Sequence, residues 1–154
     1  MEIRKASVDD IHTLIELRLD YLREDNGTIT EEQEQTIQNN LCEYLPKHLA
    51  DGDFIAFLAE ENNIVVSCAY LVIQEKPPNL QFVSGKTGLI LNVLTYPEHR
   101  RKGYAFGVLT ALIQEAKSLG VCQLELSATT DGKPLYEKLG FTIPTYTSMR
   151  LNIK

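Results

Sequence analysis

The chain has 154 residues, of which 44% are hydrophobic and 23% charged, and its net charge at pH 7 is −6. This length is typical of one globular domain, so we predict a single domain over residues 1–154. An acidic surface repels nucleic acid phosphates, and no segment reaches the roughly 18 consecutive apolar residues of a membrane span or resembles a signal peptide. We therefore expect a cytoplasmic protein that binds neither nucleic acid nor membrane.

The charges and the cysteines are distributed unevenly along the chain. Residues 1–52 carry a net charge of −7 and residues 53–154 a net charge of +1, so the acidic excess lies in the first third. Cys42, Cys68 and Cys122 are far apart and lack Cys-x-x-Cys spacing, and the three histidines share no ligand spacing. This pattern fits neither a disulfide framework nor a zinc site. We predict that the cysteines are small buried side chains and that the protein holds no metal.

The first third predicts a strand and two helices. Glu2–Lys5 reads as a short strand, and an N-cap signal at Ser7 precedes apolar residues at helical spacing, which predicts helix one over residues 8–24. A capping-box pattern that begins at Thr30 predicts helix two. This second helix is expected to be kinked or to end near Pro46, because proline lacks the N–H of a helix interior.

The middle of the chain predicts a hairpin, a central strand and a helix. Residues 54–60 and 64–74 are rich in aromatic and β-branched types on either side of an Asn-Asn pair, which is typical of a β-hairpin. Residues 88–95 are apolar with little alternation, as expected of a strand covered on both faces. The following apolar stripe at helical spacing ends at Gly120, a predicted left-handed residue.

The last part predicts one strand, one short helix and two closing strands. Residues 122–127 form the strand, residues 131–139 the helix, and the segments from 141 onward and 146–153 the closing strands. The predicted fold is therefore α/β (α+β), with a mixed, mostly antiparallel central sheet of about six to seven strands and about four helices on its faces.

A basic turn between the predicted strand at 88–95 and the next helix has the features of an anion site. Arg100-x-x-Gly103-x-Ala105 places basic side chains and a glycine directly before a helix. The first N–H groups of a helix lack intrahelical partners, the helix dipole is positive there, and glycine lets the backbone approach a phosphate. The turn predicts a site for a phosphate-bearing cofactor, although a solvated basic turn is the alternative.

Downstream, Tyr136-Glu-Lys-Leu-Gly140-Phe141 adds a second motif. With the basic turn it makes the chain resemble the GCN5-related N-acetyltransferase (GNAT) superfamily, through an acetyl-CoA motif of the form (Gln/Arg)-x-x-Gly-x-(Gly/Ala) and a Tyr-x-x-x-Gly-Phe signature. The predicted order of elements resembles the same fold over essentially the whole chain. The Gly-x-Gly-x-x-Gly and P-loop fingerprints of other nucleotide-binding folds are absent from the sequence.

The resemblance implies where acetyl-CoA binds. It implies that backbone amides of the basic turn contact the pyrophosphate, that the end of the strand at 88–95 runs beside the pantetheine, and that this strand is splayed from the strand at 122–127. The cofactor-binding residues so implied are Val93, Leu94, Thr95, Arg100, Arg101, Lys102, Gly103, Tyr104, Ala105, Phe106 and Tyr136. The sequence departs from the family by Ala105 instead of the commoner glycine and by the lack of an acidic residue in Leu89–Thr95, which leaves the general base unassigned.

The resemblance also implies a catalytic residue and an acceptor side. Tyr136 matches the tyrosine that commonly donates a proton to the departing thiolate, although packing against Phe141 is the alternative. Helices one and two wall the acceptor site in this superfamily, and here they carry the acidic excess, which would attract a cationic amine. Tyr21 and Glu24, near the end of helix one, are the candidate substrate residues, with ordinary solvated helix faces as the alternative.

These observations predict an acetyl-CoA-dependent N-acetyltransferase that moves acetyl to a primary amine by direct attack, without metal. Polyamine-like, aminosugar or lysine-type acceptors, including peptide amines, fit its charge best. The alternative is a non-catalytic acyl-CoA-binding sensor or protein-interaction domain on the same fold. Apolar strand edges predicted at 64–74 and 146–153 are compatible with a homodimer.

Overall fold

A five-stranded sheet forms the centre of the protein in the computed structural model, which describes residues 1–153. Neighbouring strands follow chain order, with antiparallel pairing from the first strand to the fourth and parallel pairing between the fourth and the fifth. The predicted mixed, mostly antiparallel fold is confirmed, with five strands in place of six or seven. The strands are β1 (Glu2–Lys5), β2 (Phe54–Glu61), β3 (Ile64–Glu75), β4 (Lys86–Thr95) and β5 (Gln123–Glu125).

Four α-helices cover the two faces of this sheet, as predicted. Short 3₁₀ turns precede the first helix and follow β4. Within residues 1–153, no helix is both long enough and apolar enough to cross a membrane. The helices are α1 (Ile11–Asn26), α2 (Glu31–Asp51), α3 (Tyr104–Ser118) and α4 (Lys133–Lys138).

The N-cap predicted at Ser7 and the capping box predicted at Thr30 both form, and Ser7 with Asp10 makes a capping box as well. Helix two was predicted to kink or to end near Pro46. It does not end there, because α2 continues to Asp51. Leu45 is buried against the core at 1% exposure, and Gly52 ends the helix in the left-handed conformation with φ of 79°. Tertiary packing and a good C-terminal cap therefore outweigh the one hydrogen bond that proline removes.

The hairpin forms as predicted, with Asn62 and Asn63 at positive φ (53° and 64°) in its loop. Two positive φ values in succession are the requirement of a type I′ turn. The third strand then pairs with β2 on one side and β4 on the other. The predicted apolar edge at 64–74 is therefore wrong, because this segment lies inside the sheet.

Two apolar layers hold the helices against the sheet. Leu14 and Leu17 of α1 and Leu45 of α2 pack on one face. Val108 and Leu109 of α3 pack on the other face, with side chains of α4 at its margin. The two layers fix α1 and α3 on opposite sides of β4, where the candidate site lies.

Leu109 in the second apolar layer should contribute strongly to the stability of the protein. Replacing Leu109, which is 0% exposed, with alanine should lower the free energy of unfolding by about 2–5 kcal/mol, because lost burial and a residual cavity both contribute. The matched control is Leu80→Ala, since Leu80 is 98% exposed and should change stability by less than about 0.5 kcal/mol. Urea unfolding followed by circular dichroism measures both. Equal effects of the two variants would contradict this packing.

The C-terminal part differs most from the sequence prediction. The fifth strand stops at Glu125 instead of 127, and residues 141–153 contain no strand. Within residues 1–153, the last backbone hydrogen bond to this segment runs from Phe141 N–H to the Tyr136 carbonyl, at 3.0 Å. The closing strands are therefore absent because the segment lies against no neighbouring strand, and ladder bonds need one.

The cysteine prediction holds for one residue of three. Cys68 is fully buried, and this burial raises the pKa of its thiol to about 12. Cys42 and Cys122 are exposed, so the prediction is wrong for them. Cys42 lies on the solvent side of α2, and Cys122 precedes β5 at the edge of the sheet, positions that the neighbouring sequence did not reveal.

Candidate active site

A cavity opens where β4 and β5 separate. The two strands pair only from Thr87–Leu89 to Gln123–Glu125, and beyond that point their chains diverge. The structure thus shows the splayed opening that the resemblance implied. The cavity is lined by Tyr21, Ile90, Leu91, Asn92, Val93, Leu126, Ser127, Thr129 and Tyr136.

A bulge in β4 accompanies the separation. Cys68 pairs with Leu94, but Tyr70 pairs with Leu91, so two residues of β4 lie opposite one of β3. Asn92 lies within the bulge at a left-handed φ of 55°. Asparagine tolerates this conformation better than most residues, and a bulge locally bends its strand. The bulge therefore bends β4 at the level of the cavity.

The Asn92 side chain is held from α1. Its Oδ1 accepts a hydrogen bond from Arg18 Nη1 at 3.2 Å, and its Nδ2 donates to the Leu17 carbonyl at 3.4 Å. Arg18 also lies 6.0 Å from the centre of the Tyr21 ring. These contacts tie α1 to the bulge, and sequence reasoning missed them. An asparagine in an otherwise apolar strand was the available signal, since strands disfavour this residue.

The basic turn has an open backbone at the start of α3. Arg101 and Gly103 have φ of 62° and 86°, and no side chain of the described residues caps the helix. A Cβ added at Gly103 would meet none of the described atoms within 4 Å, and residues 100–103 are exposed. The first N–H groups of α3 therefore point into open space at the positive end of the helix dipole. This geometry suits a phosphate group.

The side chain of Arg100 is occupied by the protein itself. Its Nε donates to the Thr95 carbonyl at 2.9 Å, and its Nη2 contacts the Glu24 carboxylate. The candidate substrate residue Glu24 is thus paired with the basic turn and does not line the cavity. The ion pair joins α1 to the turn, so Arg100 positions the loop, and Arg101 and Lys102 remain the exposed cations.

At the end of β4, the three implied residues take different positions. Val93 lines the cavity. The Leu94 carbonyl accepts a hydrogen bond from the Ser67 hydroxyl at 2.9 Å, while the Thr95 carbonyl accepts from Arg100. These two carbonyls are therefore engaged within the protein.

Two aromatic residues at the start of α3 differ in environment. Tyr104 is 5% exposed and belongs to the core, whereas Phe106 is 38% exposed. Lys138 Nζ lies 5.0 Å from the centre of the Phe106 ring. Since the Tyr104 side chain points inward, its backbone N–H is the group available to a ligand. The placement of Lys138 beside the turn was not predicted.

Tyr136 and Tyr21 both line the cavity. The ring of Tyr136 packs edge-on against Phe141 at 6.0 Å, so the alternative packing role is also present. A Cβ at Gly132 would lie 3.1 Å from the Tyr136 ring, which explains the glycine there. Burial, and then the neighbouring Tyr21, raise the pKa of Tyr136. Its phenol is therefore protonated at neutral pH.

Part of the acidic excess on α1 and α2 is paired. Arg23 contacts both Asp20 and Glu34, and Asp20 accepts a hydrogen bond from the Tyr96 hydroxyl at 2.5 Å. These carboxylates are less able to attract a cation than the sequence suggested, because their charge is already compensated.

One group of side chains of ligand type lies elsewhere. Ligand atoms of His48, Asp51 and Asp53 fall within 4.8 Å of one another at the end of α2. The His48 ring lies 2.8 Å from Asp53 Oδ1, which accounts for part of this proximity as an internal contact. The group lies outside the cavity between β4 and β5.

Comparisons with known proteins agree with this geometry. The sequence model of the "Acetyltransferase (GNAT) family" matches residues 12–141. No curated protein sequence matches the chain. A predicted acetyltransferase from Clostridium acetobutylicum, solved with acetyl-CoA, is 30% identical with a TM-score of 0.87, covering 98% of this chain and 95% of that one.

Two further solved structures are similar. A GCN5-related N-acetyltransferase from Ralstonia eutropha JMP134 is 27% identical with a TM-score of 0.82, and the match covers 97% of each chain. Glucosamine-6-phosphate N-acetyltransferase from Arabidopsis thaliana is 21% identical with a TM-score of 0.69 over 97% of each chain, a likeness of fold. Because the family's sequence model matches most of this chain, the chain belongs to the acetyltransferase (GNAT) family.

Proposed function

We propose that this protein moves the acetyl group of acetyl-CoA to a primary amine by direct attack. One observation carries the proposal: the chain that lines a cavity with Tyr136 at the end of β4 continues into the basic turn, where the start of α3 is uncapped and the space at Gly103 is open. The similar Clostridium acetobutylicum structure contains acetyl-CoA, which supports the same donor here.

The donor would bind along the turn and the open strand. Backbone N–H groups of residues 101–106 would donate to the diphosphate, which the positive φ values of Arg101 and Gly103 leave accessible. The pantetheine would pass Val93 and carry the thioester toward Tyr136. Because Arg100 is held by Glu24 and Thr95, the backbone donors contribute more to binding than this side chain.

Acetyl transfer then needs a neutral amine to attack, a stabilised oxyanion and a proton for the departing thiolate. The neutral amine nitrogen attacks the thioester carbon, a tetrahedral oxyanion forms, and the carbon–sulfur bond breaks as the amide forms. The departing thiolate takes a proton from the Tyr136 hydroxyl, whose raised pKa keeps that proton available at neutral pH. The attacking nitrogen loses a proton to water, and solvent reprotonates the tyrosine.

A cationic acceptor fits the charge of the first third of the chain best. Residues 1–52 carry a net charge of −7, and Tyr21 of α1 lines the cavity. Glu24 belongs to this acidic part of the chain, but its carboxylate pairs with Arg100 and does not line the cavity. We therefore expect amines of the polyamine, aminosugar or lysine type, with Tyr21 beside the acceptor.

The exposed cations of the turn should each contribute modestly to acetyl-CoA affinity. Arg101→Ala should weaken acetyl-CoA binding by about two- to five-fold, because one charge at an exposed helix N-terminus contributes about 0.3–1 kcal/mol. Lys117→Ala is the matched control, since Lys117 lies at the opposite end of the same helix. Titration calorimetry at low salt measures both dissociation constants. A loss at Lys117 equal to that at Arg101 would contradict a site at the helix start.

Calorimetry of the unaltered protein tests the donor site itself. Acetyl-CoA should give saturable heat with a micromolar dissociation constant and a stoichiometry of one per chain. Heat without saturation, or no heat, would overturn the proposed donor.

A further inference from the structure

Arg18 of α1 is a partly buried cation that lies beside the cavity between β4 and β5. Its Nη1 donates to Asn92 Oδ1 at 3.2 Å, and its Cζ lies 6.0 Å from the centre of the Tyr21 ring. Asn92 and Tyr21 both line the cavity. The guanidinium of Arg18 therefore lies next to two residues of the cavity wall, on the side of α1.

The charge of Arg18 has no carboxylate partner among the described residues. Three other arginines each form an ion pair with a carboxylate, namely Arg4, Arg23 and Arg100. Within residues 1–153, the one hydrogen bond of the Arg18 guanidinium goes to a neutral amide oxygen, although a guanidinium carries five N–H donors. A partly buried charge without a counter-charge costs free energy that a bound anion would recover.

Aromatic side chains of three elements lie near the Arg18 guanidinium. Besides Tyr21 of α1, they are Tyr44 of α2 and Tyr70 of β3. Burial raises the pKa of Tyr44 and of Tyr70, and the nearby positive charge of Arg18 opposes the rise in both. Surroundings of low polarity strengthen a hydrogen bond between charged groups. An anion at Arg18 would therefore be held more firmly than at a fully solvated arginine.

A carboxylate is the anion that this arrangement fits best. A guanidinium presents its donors as a planar fork, which binds carboxylate or phosphate oxygens through two parallel hydrogen bonds. A phosphate ester carries close to two negative charges at pH 7, and it would meet a single cation in the part of the chain whose net charge is −7. A carboxylate needs only the one charge that Arg18 supplies.

We propose that Arg18 binds the carboxylate of a free amino acid and thereby directs its amino group toward the thioester. This inference rests on the proposed function and selects one class from the expected acceptors, because polyamines and simple aminosugars carry no carboxylate. The acidic first third would attract the ammonium group of the same molecule. Asn92 joins Arg18 to the bulge of β4, so the anion would be bound at the level of the cavity.

Matched ligands test this assignment by the kinetics of thiol release. The ligands are the standard amino acids and their α-carboxamides, which keep the side chain and lose the negative charge. At least one amino acid should be acetylated, and Arg18→Gln should raise its KM by at least about 10-fold, as expected for the loss of a hydrogen-bonded ion pair. The kcat, the KM of the matching amide and the affinity for acetyl-CoA should change by less than about two-fold.

Two further variants distinguish ligand binding from a purely structural role of Arg18. Arg23→Gln removes the same charge from the same helix, but Arg23 pairs with Asp20 and Glu34, so the KM should not change. Arg18→Lys keeps the charge and a donor for Asn92 without the planar fork, and it should raise the KM less than Arg18→Gln does. Equal rises for amino acid and amide, or equal effects of Arg18→Gln and Arg23→Gln, would overturn the proposal.

Calorimetry with the same ligands separates this inference from the proposed function. The acetylated amino acid should bind the unaltered protein in the presence of CoA, and Arg18→Gln should weaken that binding by at least about 10-fold. Binding that depends on Arg18 without any thiol release would contradict acetyl transfer and leave the carboxylate site standing. Acetylation confined to amines without a carboxylate would support the proposed function and overturn the site. Dependence on Arg18 for glucosamine 6-phosphate alone, or no binding of any amino acid, would also overturn it.

Discussion

Replacing Gly103 with valine should weaken acetyl-CoA binding by at least about 100-fold, which corresponds to about 2.7 kcal/mol. Gly103 has φ of 86°, a conformation that a β-branched residue adopts only with strain. The space beside it is free of described protein atoms within 4 Å, so the valine methyls would project to where the diphosphate meets the N–H groups of α3. Calorimetry with acetyl-CoA measures the loss.

Gly120 supplies the matched control. It has a similar φ of 80°, and a Cβ there would also meet no described atom within 4 Å, but it lies beyond the other end of α3. Gly120→Val should therefore lower the melting temperature as Gly103→Val does while leaving acetyl-CoA affinity unchanged. If both variants lose affinity equally, strain alone explains the result and the phosphate site is contradicted.

Tyr136→Phe should lower kcat by about 10²–10⁴-fold, the range of one general acid, with acetyl-CoA affinity preserved. The variant keeps the ring that packs against Phe141 and removes only the hydroxyl. Stopped-flow thiol release and calorimetry separate the two effects. Tyr44→Phe is the control, because Tyr44 packs between His48 and Phe54 away from the cavity and should retain full turnover.

The pH profile adds a second test of the same residue. Burial raises the pKa of Tyr136, so its acid form is complete at neutral pH and is lost only above the ordinary tyrosine value of about 10. The unaltered enzyme should therefore show no decline in kcat from this group below about pH 10. A decline centred near pH 7 or 8 that Tyr136→Phe abolishes would contradict the assignment. Unchanged turnover in Tyr136→Phe would remove this residue from the mechanism.

The elements that the sequence predicted well are those set by local interactions. The N-cap at Ser7, the capping box at Thr30, the hairpin at Asn62-Asn63 and the left-handed conformation of Gly120 each depend on residues a few positions apart. The apolar residues at helical spacing likewise include core residues of both layers, among them Leu14 of α1 and Leu109 of α3. Such features can be read from a short stretch of sequence because their energies arise within it.

The failures depend on distant partners. Residues 146–153 have a strand pattern, but strand formation needs a neighbour, and within residues 1–153 this segment pairs with no strand. Pro46 fails as a helix breaker because α2 packs against the core on either side of it. The segment at 64–74 has an apolar pattern that does not reveal whether one or two strands flank it.

In the candidate site, too, the features set by local motifs were predicted and those that depend on distant partners were not. The basic turn and Tyr136 were predicted from motifs, and the structure brings Tyr136 and Tyr21 to one cavity. The ion pair between Arg100 and Glu24 joins residues 76 positions apart, so no spacing rule could reveal it. Asn92 was not predicted, although an asparagine within an apolar strand is itself a signal of an irregularity in the strand.

Thiol release from acetyl-CoA across a panel of primary amines tests the central claim most directly. The panel should include polyamines, aminosugars and lysine-containing peptides, with each product identified by mass. We predict amine-dependent thiol release that saturates with at least one cationic amine, together with one added acetyl group on that amine. Saturable acetyl-CoA binding with no amine-dependent thiol release across the panel would contradict acetyl transfer and favour a non-catalytic acyl-CoA sensor.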